Sequence, residues 1–212
     1  MTDADSQECW NMSSEKYCTE EVTNVWYVLE KRGLGLTKKC VTPLSGCYRP
    51  DMDVAGYLKA DVFQWYQELI DTLIWAVENF RTEILIEVSL LSTHLALPRE
   101  GHLYQVLQIF GYLKTQKKMR LMFDCIYLRI SSKIFKEYEW FDLYRDSKEA
   151  IPPNMNESKV HKVSISMFVD YELVGDNCTK RSHISLLIFI NKSIIHWYIK
   201  SQSTVEAITF GS

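Results

Sequence analysis

Two carboxylates, Asp170 and Glu172, stand two residues apart in a stretch where apolar and polar residues alternate. Such alternation predicts a β-strand, and residues two apart on a strand project from the same face of the sheet. Paired carboxylates at a strand end can hold Mg²⁺, the arrangement used in two-metal phosphodiester cleavage. From spacing alone, a solvated strand-end charge is the favoured interpretation of Glu172. Asp170 is therefore the main candidate for a catalytic and metal-binding residue, and Glu172 is a weaker one.

No other catalytic motif accompanies this pair. The five histidines have no cysteine or serine partner at an informative spacing. His94 and His102 flank Pro98, and we expect them to cap or to pack between helices. The chain has no glycine-rich phosphate loop, no G-x-S-x-G motif and no H-E-x-x-H motif. We therefore expect no small-molecule substrate.

A local cluster of basic residues stands in the middle of the chain and comprises Lys114, Lys117, Lys118 and Arg120. Such a cluster can contact a phosphate backbone. The favoured interpretation is a solvated charge run at a helix end, because the formal net charge of the chain is −3. A chain with this balance has no global basic field to attract nucleic acid or an anionic membrane.

The composition is that of a globular protein. Of the 212 residues, 47% are apolar, 13% aromatic and 24% charged, which excludes wholesale disorder. The N-terminal residues are acidic and polar where a signal peptide is basic and then apolar, and no apolar run is long enough to span a bilayer. We therefore expect an intracellular protein of the cytoplasm or nucleus, with no membrane partner. The six cysteines are scattered without a C-x-x-C motif, which predicts free thiols.

The first half of the chain has the apolar spacing of amphipathic helices. A helix capped by Ser13 or Ser14 is predicted to run to about Arg32, with Val22, Val25, Trp26 and Leu29 inward. A second helix is predicted to start at Asp61. Two more are predicted over 83–97 and 99–115, separated by Pro98. Short loops between these stripes indicate a compact helical subdomain.

The second half changes to the alternating period of strands. One strand is predicted at 119–123, a linker at 145–159, and three strands after residue 160. Residues 183–190 and 194–200 are predicted to form a hairpin across Asn191-Lys192-Ser193. The sequence thus predicts an α+β fold, in which a helical subdomain precedes a three-stranded antiparallel sheet. One face of that sheet is left without a cover unless the helical half covers it.

Two stretches of this chain resemble the Pol polyprotein of copia-type LTR retrotransposons. The first is similar to the segment after the reverse-transcriptase palm and comprises Tyr66-Gln-Glu-Leu-Ile70, Trp75-Ala76, Arg81, Ile84, Leu90-Leu-Ser92, Leu97-Pro98, Gly101-His102-Leu103 and Tyr112-Leu113-Lys114. The second is similar to the opening of the ribonuclease H-like domain and comprises Phe168-Val-Asp170, Gly175-Asp176, Thr179-Lys-Arg-Ser182, Ile195-His-Trp-Tyr198, Lys200-Ser-Gln202, Thr204-Val-Glu206 and Thr209-Phe-Gly-Ser212. Each motif is short, but their shared order is specific.

The resemblance implies a division of the chain into four segments. Residues 1–52 correspond to the exit segment of the reverse-transcriptase domain, a helix and a loop. Residues 53–144 correspond to a helical connection subdomain and 145–159 to a linker. Residues 160–212 correspond to a truncated ribonuclease H-like domain with a partial three-stranded sheet.

The resemblance also implies a role for Asp170, which matches the first ribonuclease H carboxylate of the family. Ribonuclease H cleavage resembles two-metal catalysis with about four carboxylates, and the second is expected just beyond Ser212. This chain has Asp170-Tyr171-Glu172 where the family usually has Asp-Ala-Asp, and it has no Asp-Asp pair of a polymerase palm. A lone carboxylate cannot neutralise two Mg²⁺ ions about 4 Å apart. We therefore expect a catalytically inactive polyprotein fragment with no cofactor as it stands.

Two alternatives stay open. The chain can be part of a longer active RNA-directed DNA polymerase and ribonuclease H, in which Asp170 serves as a ligand of Mg²⁺. It can instead be a nucleic-acid-binding module derived from one, with an RNA–DNA hybrid as its partner. The helical subdomain of such a module can bind nucleic acid or a protein, and the sequence does not identify a protein partner. A sheet that lacks covering helices is expected to expose apolar surface and an unpaired edge, which predicts marginal stability or aggregation.

Overall fold

The computed structural model describes residues 10–36, 40–46, 48–123, 153–154, 164–172 and 183–201, and of residues 171, 172, 183 and 201 it describes the backbone alone. The predicted linker at 145–159 lies outside the described residues except at 153–154. Within the described residues the chain forms four α-helices, a two-stranded sheet and a three-stranded antiparallel sheet. The predicted α+β class, with helices before the three-stranded sheet, is confirmed.

Helix α1 (Glu15–Lys31) begins and ends close to the predicted positions. The Ser13 hydroxyl accepts a hydrogen bond from the Glu15 N–H at 3.2 Å, which satisfies one free donor at the helix start. Gly33, at φ +68°, ends the helix in the left-handed conformation that glycine adopts without strain. The buried stripe comprises Cys18, Val22, Val25 and Leu29. Trp26, predicted on this stripe, lies at its margin and is 43% exposed.

Three further helices, α2 (Ala60–Glu78), α3 (Leu85–Ser92) and α4 (Glu100–Thr115), complete the helical half. Short 3₁₀ turns at Pro50–Met52 and Thr82–Ile84 precede α2 and α3. All three helices stand where the apolar spacing predicts them.

Two helix ends differ from the prediction. Asp61, predicted to cap α2, lies in its first turn, where a negative charge still favours the helix N-terminus. The third helix was expected to reach almost to Pro98, but α3 ends at Ser92. Beyond Ser92 the chain tightens into a turn, in which the His94 N–H donates to the Leu91 carbonyl at 3.2 Å. Proline disfavours helical geometry at the residue before it, here Leu97, so Pro98 does not account for the earlier end at Ser92.

The core is one cluster of side chains to which all four helices contribute. Residues before and after position 52, the predicted segment boundary, take part in the same cluster. Each large apolar side chain stabilises the fold by about 1.5–3 kcal/mol when it leaves water completely. The members with no exposure are Leu29, Tyr66, Ile70, Leu73, Ile84, Leu91, Val106, Ile109 and Phe110.

A two-stranded antiparallel sheet joins the two ends of the helical half. Strand β1 (Trp10–Met12) pairs with β2 (Leu121–Phe123), and Trp10 lies opposite Phe123. The second strand confirms the strand predicted at 119–123. The first was not predicted, because three residues are too short to show an alternating period.

The three-stranded sheet is a simple meander. Strands β3 (Ile165–Glu172), β4 (His183–Ile190) and β5 (Ser193–Ser201) lie in the order β3-β4-β5, each antiparallel to its neighbour. Asn191, at φ +54°, and Lys192 form the two-residue turn between β4 and β5. Two-residue hairpin turns need this positive φ, which asparagine tolerates better than most residues, so the predicted hairpin is confirmed.

One face of this sheet packs on the helices. Trp197 of β5 packs against the helical core, and its ring meets that of Phe80 edge-to-face at 6.0 Å between centroids. The register places Leu187 and Phe168 on the same face as Trp197. The described helices do not cover the opposite face, whose β3 residues Ile165, Met167 and Val169 are 72%, 59% and 61% exposed. The helical half thus contacts the described sheet through β5, on the face of Trp197, and leaves the apolar β3 side chains of the other face exposed.

Candidate functional site

Asp170 lies on β3 with its side chain exposed, directly opposite Ser185 of β4. The register places Glu172 opposite His183, at the end of the same strand pair. Among the described side chains of this sheet, Asp170 is the one carboxylate. Across the described part of the chain, no group of three or more His, Cys, Asp and Glu side chains converges as a metal site. The described donors therefore do not fit a two-ion centre, and the metal-binding role of Asp170 stays a prediction.

The described side chains next to Asp170 on its face of the sheet are uncharged. Phe168, two residues earlier on the same face, meets the ring of Phe189 at 5.5 Å in an edge-to-face contact. Ser185 and Ile199 continue the row of Asp170 across β4 and β5. The hydroxyl group of Ser185 and the methyl groups of Ile199 add no negative charge that would help to bind a divalent ion beside Asp170.

The basic cluster lies at the C-terminal end of α4 and just beyond it. Lys114 belongs to the last turn of α4, where a positive charge is favoured by the helix dipole. All four side chains of the cluster are exposed. Lys114 and Lys117 also line a cavity of about 190 Å³ whose wall includes the buried thiol of Cys18. The cluster therefore presents exposed cationic groups, which suits a phosphate backbone.

His102 is a structural histidine, as the sequence predicts. It is almost fully buried, and its Nδ1 accepts a hydrogen bond from the Arg99 N–H at 3.1 Å. The Nε2 atom consequently carries the proton and donates to the Pro50 carbonyl at 2.9 Å. The His94 ring lies 4.3 Å from that of His102. Both nitrogens of His102 are thus occupied in fastening α4 to the loop before α2.

Asp53 and Gly101 meet at the same junction, and sequence reasoning did not identify them. Asp53 accepts hydrogen bonds from the Tyr48 hydroxyl at 2.5 Å and from the Ala55 N–H at 2.7 Å. Burial opposes ionisation of this carboxyl, but the hydrogen bonds from Tyr48 and Ala55, together with the positive charge of the Arg99 guanidinium, lower its pKa below the usual value. A Cβ at Gly101 would lie 1.7 Å from Asp53 Oδ2, so the carboxylate sits where glycine alone leaves room. We call Tyr48, Asp53, Arg99, Gly101 and His102 the α4 junction.

The α4 junction also changes the acidity of Tyr48. Burial, followed by the hydrogen bond that it donates to Asp53, raises the pKa of the Tyr48 hydroxyl well above its usual value. The guanidinium of Arg99 donates to the Ala55 carbonyl at 2.6 Å and to the Tyr57 hydroxyl at 2.9 Å. These groups bind one another, so the junction holds the loop against α4.

Arg81 is the largest fully buried side chain of the helical half. Its Nε donates to Glu83 Oε1 at 2.6 Å, and its Nη2 donates to the Gln116 carbonyl at 3.1 Å. Its Nη1 lies 3.6 Å from the Cys18 sulfur. A single guanidinium therefore links the end of α2 to α1 and to the end of α4, and the ion pair with Glu83 compensates the buried charge.

Glu87 of α3 has a buried carboxylate oxygen that lacks a described hydrogen-bond partner. Its Oε2 atom is buried and has no hydrogen-bond partner among the described residues. Burial, with a smaller contribution from the negative charge of Glu83, raises the pKa of the Glu87 carboxyl above its ordinary value. The side chain thus destabilises the folded state when it is ionised.

The contact between the sheet and the helices is incompletely filled. A cavity of about 270 Å³ lies between α2, α3 and β5, and it is lined by Ile74, Val77, Glu78, Leu85, Val88, Ser89, Ser92, Trp197, Tyr198 and Ile199. Its wall is mostly apolar and it opens to the surface beside Glu78 and Tyr198, which are exposed. Side chains that line a void lose part of their dispersion contacts, so this interface stabilises less than the helical core does.

Among the described residues, no helix combines the length and the apolar character that a membrane span requires. Comparisons of the sequence with protein-family models and with curated proteins, and of the structure with solved structures, find no match.

Proposed function

We propose that this chain derives from the Pol polyprotein of a copia-type LTR retrotransposon, and that it does not cleave nucleic acid as it stands. The observation that carries the proposal is the order of elements. A helical half precedes a three-stranded antiparallel meander, and Asp170 stands on the first strand of that meander. This is the order that the resemblance implies for a connection subdomain followed by the start of a ribonuclease H-like domain.

Residues that carry the resemblance have structural roles in the helical half, which supports descent from a folded connection segment. Tyr66 is fully buried, and its hydroxyl donates to the Leu91 carbonyl at 2.8 Å. Arg81 and His102 are equally buried and hydrogen-bonded. A buried polar group that loses its hydrogen-bond partner costs about 1–3 kcal/mol. These three residues therefore stabilise the fold, and their presence does not require a catalytic role.

The proposed lack of nuclease activity follows from charge. Two Mg²⁺ ions about 4 Å apart bring four positive charges together, and Asp170 offsets one of them. Ser185, opposite Asp170, offers a neutral oxygen that offsets none. The alternative is that this chain belongs to a longer active enzyme, in which further carboxylates complete the site and Asp170 becomes a Mg²⁺ ligand.

A cleavage assay tests the proposal. The full chain is incubated with a labelled RNA–DNA hybrid and Mg²⁺, beside the variants Asp170→Asn and Asp61→Asn. Asp61 is an exposed carboxylate on α2, remote from the sheet in sequence, and serves as the matched control. We expect no cleavage above background from any of the three proteins. Mg²⁺-dependent cleavage that persists in Asp61→Asn and disappears in Asp170→Asn would overturn the proposal.

A second candidate function is binding of an RNA–DNA hybrid through the basic cluster. The observation that favours it is the exposure of all four cationic side chains within a short stretch at the end of α4. Each phosphate contact contributes about 0.9 to the slope of log affinity against log salt concentration, so four contacts predict a slope of about −3.6. A chain that binds in this way needs no catalytic residue.

Paired variants test this second function. Lys117→Gln with Lys118→Gln is expected to reduce the magnitude of the salt slope by about 2 and to weaken binding at low salt. Lys59→Gln with Lys200→Gln removes the same charge from two exposed sites elsewhere and is expected to leave the slope unchanged. Equal losses in the two double variants, or no binding of the hybrid at low salt, would contradict a role for the cluster.

A further inference from the structure

Strand β3 forms one edge of the three-stranded sheet. It pairs with β4 along one side, and no strand among the described residues pairs with its other side. Strand β5 forms the opposite edge, and β2 lies near β5 without being hydrogen-bonded to it. An open strand edge presents a row of N–H and C=O groups that can pair with another strand.

One hydrogen bond to the β4–β5 turn shows which residues of β3 direct their backbone groups towards β4 and which direct them away. The Asn191 N–H donates to the Ser164 carbonyl at 2.7 Å, so Ser164 directs its backbone groups towards β4. Hydrogen-bonded and non-hydrogen-bonded pairs alternate along an antiparallel ladder. The odd-numbered residues of β3, from Ile165 to Tyr171, therefore direct their N–H and C=O groups to the open edge.

The same odd-numbered positions carry apolar residues on the face that the described helices leave uncovered. Ile165, Met167 and Val169 are all exposed there. Natural edge strands usually carry lysine, proline or a bulge that blocks pairing. Strand β3 has no lysine and no proline, its register with β4 is free of bulges, and its two charged residues, Asp170 and Glu172, are confined to its last three positions.

We propose that a second copy of this chain pairs with the open edge of β3, strand to strand and antiparallel, about a two-fold axis at Phe168. In this register Met167 of one copy lies opposite Val169 of the other, and Ile165 lies opposite Tyr171. Each of these positions directs its backbone groups outward, so all four odd-numbered residues of each strand make ladder hydrogen bonds. The two sheets become one sheet of six strands.

The side chains favour a second copy over an unrelated strand, because β3 is complementary to itself in this register. Met167 and Val169, both apolar and exposed, lie opposite each other across the proposed contact. Asp170 lies opposite Ser166 of the other copy, so no two like charges among the described side chains are opposed. Self-complementarity is the property that a two-fold contact requires and that a contact with another protein does not.

The expected strength follows from the size of the contact. One pair of eight-residue strands buries less than the roughly 800 Å² per partner of a standard interface. We therefore expect a dissociation constant in the micromolar range, on the order of 10 µM, and a chain that is monomeric when dilute. The inference does not depend on the proposed function.

The test measures the solution mass of the full chain by sedimentation equilibrium from about 1 to about 100 µM, a range that brackets the expected dissociation constant. Two double variants carry charges at the same two positions. Met167→Lys with Val169→Lys places lysine opposite lysine in the proposed register. Met167→Lys with Val169→Glu places lysine opposite glutamate. Both positions are exposed in one copy, so circular dichroism should show the same secondary structure in both variants.

The unmodified chain should shift from the mass of one chain, 24.9 kDa, towards that of two as its concentration rises. The lysine–lysine variant should raise the dissociation constant at least about tenfold, whereas the lysine–glutamate variant should keep it within about threefold. An unmodified chain that stays at 24.9 kDa throughout, or that assembles beyond two copies, would refute the pairing. Equal effects of the two double variants would refute the register.

Discussion

Replacing Gly101 by alanine tests the α4 junction directly. The added Cβ would meet Asp53 Oδ2 at 1.7 Å and Asp53 Cγ at 2.6 Å, so the carboxylate must leave its position. It would lose the hydrogen bond from Tyr48 or that from Ala55, or both. A hydrogen bond to a charged group contributes about 1.5–3 kcal/mol, and Asp53 is half-buried, so we take about 2 kcal/mol for the loss.

The same substitution has a smaller favourable effect. Alanine is preferred over glycine in a helix by up to about 1 kcal/mol, and Gly101 lies in the first turn of α4. The net expectation is a destabilisation of about 1–2 kcal/mol. For a chain of this length that corresponds to a fall of about 2–8 °C in the midpoint of thermal unfolding.

The coupling energy between Gly101 and Asp53 is measured by urea unfolding of four proteins. These are the unmodified chain, Gly101→Ala, Asp53→Ala and the double variant. Once Asp53 is alanine, the obstacle is gone, so Gly101→Ala should be neutral or stabilising by up to about 1 kcal/mol. Gly46→Ala is the control, because a Cβ there meets nothing within 4 Å, and it should change stability by less than about 0.5 kcal/mol. The reasoning fails if Gly101→Ala costs the same with and without Asp53, or if it costs nothing in the unmodified chain.

Three further predictions concern the helical half and its contact with the sheet. Because burial raises the pKa of Glu87 above its ordinary value of 4.5, the free energy of unfolding should fall as pH rises from that value through the raised pKa. Glu87→Gln should remove this fall and add about 1 kcal/mol near neutral pH in urea unfolding, whereas the exposed Glu68→Gln should leave it. Arg81→Met removes the hydrogen bonds to Glu83, which is partly exposed, and to the Gln116 carbonyl, and should cost about 2 kcal/mol by the same measurement; a neutral effect would contradict its linking role. Trp197→Ala enlarges the cavity beneath the sheet and should cost about 2 kcal/mol, against less than about 0.5 kcal/mol for Trp75→Ala, which is exposed on α2; similar costs for both would show that Trp197 does not hold the sheet to the helices.

The elements that the sequence predicts well are those whose stabilisation is local. The stripe from Cys18 to Leu29 repeats at helical spacing, and the helix stops where Gly33 permits a left-handed residue. The hairpin at Asn191 is equally local, since the turn residues and the flanking apolar runs are neighbours in the chain. The structural role of His102 is predictable because this residue closely follows Pro98 and has no cysteine or serine at a spacing that suits catalysis.

What the sequence does not reveal depends on residues that are distant in the chain. The α4 junction joins Pro50 to His102, and no spacing rule relates a tyrosine, an aspartate and a glycine so far apart. The sequence also does not show which face of the sheet meets the helices, because β4 is apolar at nearly every position. The role of Asp170 stays a prediction for a related reason, since a metal site is defined by donors that converge from several elements.

The pairing of β1 with β2 has a topological consequence. Trp10 lies opposite Phe123, so the polypeptide enters and leaves the helical half at neighbouring points. A unit whose ends adjoin can be inserted into a surface loop of another protein, or circularly permuted, without stretching its core. Residues 10–123 thus have the geometry that circular permutation requires. A short linker from Phe123 back to Trp10 would join the present ends, and new termini at the exposed Gly35 would interrupt no helix.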